Sequence, residues 1–190
     1  DLKNSKEGYE CIYYQHKLDN PDSKINEKIT CIFETKKKDI YLGSLGNGIY
    51  LLDKDSKYGE YKFVNYAARS GLTDSSISNI LEDENGNLWI STLKGVYFFD
   101  ANTKRAFKFD EGDGLLVQQF SKRAGCKSTN HTAWNQRSAL AKPGGGSLPL
   151  ITLGSIDGLV TFSPLINLPK QKDRKVTLTS VICDGNEFIP

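Results

Sequence analysis

The strongest constraint on this chain is that it repeats itself. Ile29-Thr30-Cys31-Ile32-Phe33-Glu34 returns 48 residues later as Ile77-Ser78-Asn79-Ile80-Leu81-Glu82. Further along the unit, Asp39-Ile40-Tyr41-Leu42-Gly43-Ser44-Leu45 answers Asn87-Leu88-Trp89-Ile90-Ser91-Thr92-Leu93. After a one-residue slip, Gly48-Ile49-Tyr50-Leu51-Leu52-Asp53 answers Gly95-Val96-Tyr97-Phe98-Phe99-Asp100. A period in the forties belongs to propeller blades or to helical arrays. The apolar runs decide between them: they are short, rich in Ile, Val, Tyr and Phe, and cut by Gly, Asn and Asp, so each unit reads as four short strands.

Within the best-formed unit the pattern predicts strands over 76–82 and 88–92. They are joined at Asn85-Gly86, the dipeptide of a two-residue hairpin whose central positions both need positive φ. A third strand runs from Gly95 to Phe99. The chain then turns at Asp100-Ala101-Asn102-Thr103-Lys104 into an outer strand, Ala106-Phe107-Lys108-Phe109, whose alternation suits one solvated face. The inner strands are apolar on both faces, as expected of a sheet packed between two neighbours. Residues 8 to 18 read as the outer strand of an earlier blade.

A third unit opens at Gly114-Leu115, the counterpart of Gly71-Leu72, with Phe120 in the place of Ile77. Its later half, Gly154-Ser155-Ile156-Asp157-Gly158-Leu159-Val160-Thr161-Phe162, aligns with Ser91 to Phe99 at an offset of 63. If Asn130-His131-Thr132-Ala133-Trp134 stands for Asn85 to Trp89, about 18 residues are in excess between Trp134 and Leu153, with linker composition around Gly144-Gly145-Gly146-Ser147.

Composition excludes several function classes. The 25 basic and 23 acidic residues give no field for capturing nucleic acid, and no apolar run is long enough to span a bilayer. Cys11, Cys31, Cys126 and Cys183 lack metal-site spacing and read as packing residues or free thiols, with a disulfide left open. His16 and His131 are isolated, and Gly144-Gly145-Gly146-Ser147 lacks the Lys and helix of a phosphate loop. Asn130-His131-Thr132 is a chance-level glycosylation pattern, and Lys36-Lys37-Lys38 suits a hairpin tip. Glu82 to Trp89 has the Gly and Trp spacing of a sialidase turn but not its Ser, Asp and Thr, so it reads as structure. No two carboxylates have a reason to converge as an acid/base pair. Trp89, Tyr41, Tyr50 and Tyr97 read as core more readily than as sugar platforms. The start at Asp1-Leu2-Lys3-Asn4-Ser5 shows no export signal, and the chain reads as a fragment.

From Gly71 to Asp100 the unit resembles the two-component regulator propeller repeats of Bacteroides-type hybrid sensor histidine kinases: a Gly-Leu lead-in, an acidic Asn-Gly hairpin, Leu-Trp-Ile-Ser-Thr, then Gly-Val-x-x-Phe-Asp. Gly154 to Pro164 resembles the closing blade of that family. The charged connector from Pro169 to Lys175 and the strand and turn of Val176 to Asn186 resemble the entry to the immunoglobulin-like sandwich that follows such propellers.

The resemblance implies an all-β chain. Residues 1–165 form the C-terminal blades of a β-propeller sensor region, about two to three four-stranded blades with an irregular insert at about 135–152. Residues 166–175 are a linker, and 176–190 carry the first strand of an Ig-like β-sandwich. It implies a periplasmic, non-catalytic segment that detects a glycan or other small ligand and signals to a histidine kinase outside this chain, as a homodimer in the full-length sensor. It implies no catalytic, metal or cofactor-binding residues, no cofactor, no nucleic acid and no membrane contact within the segment; ligand-binding residues stay unassigned. The alternatives are a protein-binding scaffold and a piece of a secreted propeller glycoside hydrolase or lyase. Exposed end faces are a further expectation: losing roughly 500 Å² of apolar burial costs about 12 kcal/mol, enough to drive association or instability.

Overall fold

A computed structural model describes residues 28–53, 62–109, 111–115, 117, 119–128, 149–165, 181–183 and 186–188. It is a partial β-propeller. The first blade is the meander β1 (Ile29–Glu34), β2 (Ile40–Ser44), β3 (Ile49–Asp53) and β4 (Lys62–Asn65). The second is β5 (Ile77–Glu82), β6 (Leu88–Thr92), β7 (Val96–Phe99) and β8 (Ala106–Phe109). The third has three strands, β9 (Phe120–Ser128), β10 (Leu150–Ser155) and β11 (Gly158–Phe162). A separate hairpin pairs β12 (Val181–Cys183) with β13 (Asn186–Phe188). The strand expected at residues 8 to 18, the connector 166–175 and residues 176–180 lie outside the described residues.

The repeated letters have repeated causes. A one-turn helix, α1 (Ala67–Ser70), stops at Gly71 in the left-handed conformation (φ 85°), which glycine adopts without steric cost, and this delivers Leu72 into the core. A 3-10 turn at Glu111–Asp113 ends the same way at Gly114 (φ 89°), ahead of Leu115. The turn between the second and third strands also recurs. Ser44, Thr92 and Ser155 each donate a side-chain hydrogen bond to the carbonyl of Gly48, Gly95 and Gly158, at 3.0, 2.9 and 3.1 Å.

The Asn85-Gly86 hairpin differs from expectation. Gly86 has φ 82°, but Asn85 does not enter the left-handed region, so the two-residue turn is not formed. Asp83 and Asn87 instead close a three-residue loop, with Asp83 N–H donating to the Asn87 carbonyl at 2.9 Å. A type I turn followed by a left-handed residue satisfies that length. The Asp83 carboxylate holds it by accepting from the Asn85 and Asn87 amides at 2.8 and 2.9 Å. In the first blade Thr35 plays the part of Asp83, and Lys38 takes the left-handed position with φ 67°.

Strand alternation sorts the second blade's side chains between two cores. Leu88, Ile90, Tyr97 and Phe99 face the first blade and meet Cys31, Tyr41 and Ile49. Trp89, Val96 and Phe98 face the third blade and meet Phe120, Ile151 and Leu153. The aromatic contacts are edge-on or tilted, with Tyr41 and Phe99 at 6.2 Å and Trp89 and Phe162 at 4.8 Å between centroids. Each such fully buried side chain stabilises the fold by roughly 1.5–3 kcal/mol. The exposed end faces are seen only in part. Ile32 is 70% exposed and Leu159 75%, whereas Leu42, Tyr50 and Leu52 of the first blade are buried.

The third blade corrects the placement of the excess residues. β10 begins at Leu150, so residues 150–152 are strand rather than insert. The position held by Trp89 belongs to Thr152, because Thr152 pairs with Thr161 as Trp89 pairs with Phe98. Trp134 lies outside the described residues. Residues 83–87 separate Glu82 from Leu88, and residues 128–150 separate Lys127 from Ile151, so the 18-residue excess sits in the hairpin between β9 and β10.

Candidate functional site

The three first strands, β1, β5 and β9, pack against one another as the inner edge of the blades. Each carries an irregularity beside its start. Ile29 and Cys31 pair with Ser44 and Gly43, while Ile77 and Asn79 pair with Thr92 and Ser91, so each strand bulges by one residue. In β9 the bulge is larger, with Phe120 opposite Ser155 and Gly125 opposite Leu153. Bulges re-aim side chains and collect at barrel rims and functional sites. Gln119 and Arg123, flanking and inside the β9 bulge, both sit at φ 58°, a conformation rarely adopted by residues other than glycine.

This brings polar groups from three blades together. Arg123 Nε donates to the Thr30 carbonyl at 3.3 Å, linking β9 to β1. Ser78 Oγ donates to the Phe120 carbonyl at 2.6 Å, linking β5 to β9. Asn79 Oδ1 accepts from the Ile80 amide at 3.0 Å, and its Nδ2 lies against Gly125, where any Cβ would collide with it. Thr30 Oγ1 and Asn79 Nδ2 are buried without a hydrogen-bond partner among the described residues. Such groups cost about 1–3 kcal/mol each unless something satisfies them.

The loops at this end are tied to the same strands. Gly46 and Gly48 amides donate to the Ser75 carbonyl at 3.0 and 2.8 Å, and Gln119 N–H to the Leu93 carbonyl at 3.1 Å. Leu45-Gly46-Asn47 and Leu93-Lys94 therefore border the bulges. Thr30, Asn79 and Arg123 were not singled out from sequence. The available signal was the change of offset between the second and third units, from 43 at Ile77 and Phe120 to 45 at Asn85 and Asn130.

Residues weighed from sequence as sugar platforms or acids are otherwise engaged. Trp89, Tyr41, Tyr50 and Tyr97 are all buried, so they pack between and within blades. Lys104 Nζ donates to the Tyr41 hydroxyl at 2.9 Å, and burial pushes that phenol's pKa up. In the turn resembling a sialidase motif, Glu82 accepts from the Lys36 amide at 2.9 Å. Glu84 pairs with Lys36 and Lys127, each at 3.0 Å, clasping all three blades. The two lysines hold the Glu84 carboxyl below the usual carboxylate range. Cys31 is buried and free, its thiol pKa raised by burial, and Cys126 is exposed and free. No three His, Cys, Asp or Glu side chains converge on a possible metal position among the described residues.

Comparison with known proteins agrees with this architecture. Residues 71–94 match the two component regulator propeller family. The extracellular domain of a putative hybrid two component system from B. thetaiotaomicron has a similar structure, with TM-score 0.52 and 26% identity, over 72% of this chain and 16% of that one. Histidine kinase P4 of Formosa agariphila is 30% identical over 63 residues, 33% of this chain and 5% of the relative. The chain thus spans a small part of either relative.

Proposed function

Because the chain carries the propeller repeat of two-component regulators, we propose that it is part of the extracytoplasmic, periplasmic sensing region of a hybrid sensor histidine kinase and detects an oligosaccharide. The observation that carries the ligand reading is the bulged inner end of the blades. A guanidinium, a carboxamide whose Nδ2 has no partner among the described residues and a hydroxyl likewise without one stand there on three strands, bordered by the loops at 45–48 and 93–95. Hydroxyl-rich ligands are held by such neutral donors and acceptors, and Arg123 adds preference for an acidic group.

In this reading the chemistry of signalling lies outside the chain. Ligand shifts the sensor by binding one arrangement of a homodimer more tightly than another, since equal affinity would shift nothing. The β12–β13 hairpin is then the entry to the Ig-like sandwich that carries the change onward.

The test is calorimetric titration of the full extracytoplasmic region with neutral and acidic oligosaccharides. The expected result is saturable binding to an acidic oligosaccharide that Arg123→Ala weakens about tenfold or more. Absence of binding to every oligosaccharide, or unchanged affinity in Arg123→Ala, would sink this reading of the site.

A further inference from the structure

The repeat changes chemical character at one cross-strand pair. In the first blade Cys31 lies opposite Gly43. The corresponding pair in the second blade is Asn79 opposite Ser91. Ser91 stands where the first and third blades have Gly43 and Gly154. The seam between the first and second blades is therefore closed by a thiol, a bare Cα and Ile77, so tightly that a Cβ on Gly43 would lie 2.6 Å from both Cys31 Sγ and Ile77 Cγ2. The second blade turns a carboxamide and a hydroxyl toward its own neighbour instead.

Both groups are inside the protein, with Asn79 8% and Ser91 1% exposed. Ser91 shares its strand face with Trp89, which packs against the third blade. Asn79 Nδ2 lies against Gly125 of β9, so it points into the same seam. Directly opposed side chains hang from Cβ atoms only about 4.5–5.5 Å apart. Even so, Asn79 Nδ2 and Ser91 Oγ do not bond to each other, and neither has a hydrogen-bond partner among the described residues. The other end of the carboxamide is fixed, because Asn79 Oδ1 accepts from the Ile80 amide at 3.0 Å. Two buried polar atoms on one face, too far apart to bond and left unmet, are costly unless a third group satisfies both.

We propose that the seam between the second and third blades is a binding site for one ordered water, held between Asn79 Nδ2 and Ser91 Oγ. Nδ2 donates a hydrogen to the water, and the water donates in turn to the Ser91 hydroxyl oxygen. Buried waters make such bonds to groups that protein atoms do not reach. The carboxamide nitrogen carries two hydrogens, so one is committed to the water and the other stays available at the inner end of the blades. Ser91 is in this way a positioning residue: through the water it fixes the carboxamide of Asn79, which it does not touch. The first two blades are joined by dry packing, and the second and third by a polar bridge.

The water site rests on side-chain chemistry within the propeller and not on any oligosaccharide, so its failure is separable from that of the sensing role. The test is a crystal structure of the complete extracytoplasmic region, at a resolution that shows waters, together with hydrogen exchange of the β5–β6 hairpin. The expected density is a single water about 2.7–3.2 Å from both Asn79 Nδ2 and Ser91 Oγ. Ser91→Ala and Asn79→Cys, the second placing the first blade's residue in the second, should each speed exchange of the hairpin about threefold or more. The double variant should exchange no faster than the faster single one, because either substitution already breaks the bridge. Density at neither atom, or a direct bond between Asn79 and Ser91, overturns the proposal. So does Ser91→Ala exchange equal to or slower than that of the parent, since removing an unmet hydroxyl relieves the interior, and so do effects that multiply in the double variant.

Discussion

Gly43 tests how tightly the first two blades are pressed together. A Cβ on this residue would lie 2.6 Å from Cys31 Sγ and from Ile77 Cγ2, and 2.9 Å from Ile77 Cβ. Real Cβ atoms do not approach so closely, so Gly43→Ala must push β1 or the second blade away. Its backbone is not left-handed, so no strain of that kind is added. Overpacking costs about 1–3 kcal/mol. Stiffening the unfolded chain by replacing glycine returns about 0.4–1 kcal/mol. The expected net loss is about 1–2 kcal/mol, a fall of roughly 0.5–1 M in the urea midpoint. Unfolding followed by tryptophan fluorescence measures it. Cys31→Ala removes one of the colliding atoms, so the double variant should lose less than the two single losses combined, by at least about 0.5 kcal/mol. A Gly43→Ala protein as stable as the parent, or strictly additive losses, would refute the close approach.

Three further outcomes are expected. Trp89→Ala, which empties the core between the second and third blades, should cost about 3–5 kcal/mol in the same assay; a loss below about 1 kcal/mol would contradict its burial at 2% exposure. Lys38→Gly should raise stability by about 0.5–1 kcal/mol, because the left-handed turn position suits glycine, less any contribution from the exposed Lys38–Glu34 pair; destabilisation would argue against that turn. Glu84 has its pKa lowered in the folded state, so its ion pairs contribute above the unfolded value of about 4.3 and are lost as pH falls through the folded one. Acid titration of stability should therefore be steeper for the parent than for Glu84→Gln, with the difference shrinking as salt is added. Identical acid slopes would remove the clasp across the three blades.

The sequence by itself determined the blade, and it did so because blade formation is local. Short runs rich in β-formers at Ile77–Glu82 and Leu88–Thr92 make strands, Gly71 and Gly114 stop helical turns, and Ser44, Thr92 and Ser155 tie off turns three or four residues away. The 18-residue excess was countable for the same reason, although its boundary was set too late because the strand counterpart of Trp89 is Thr152. Only the tertiary structure decided which face of a strand meets which neighbour. Tyr97 and Phe98 look alike in sequence, yet they serve different cores because the blades approach from opposite sides. The candidate site is nonlocal in the same sense. Thr30, Asn79 and Arg123 come from three blades, and the bulges that turn them together follow from how each first strand must fit the second strand of its own blade. Residue order along the chain carries the strands, while the crowding of blades around their inner edge carries the site.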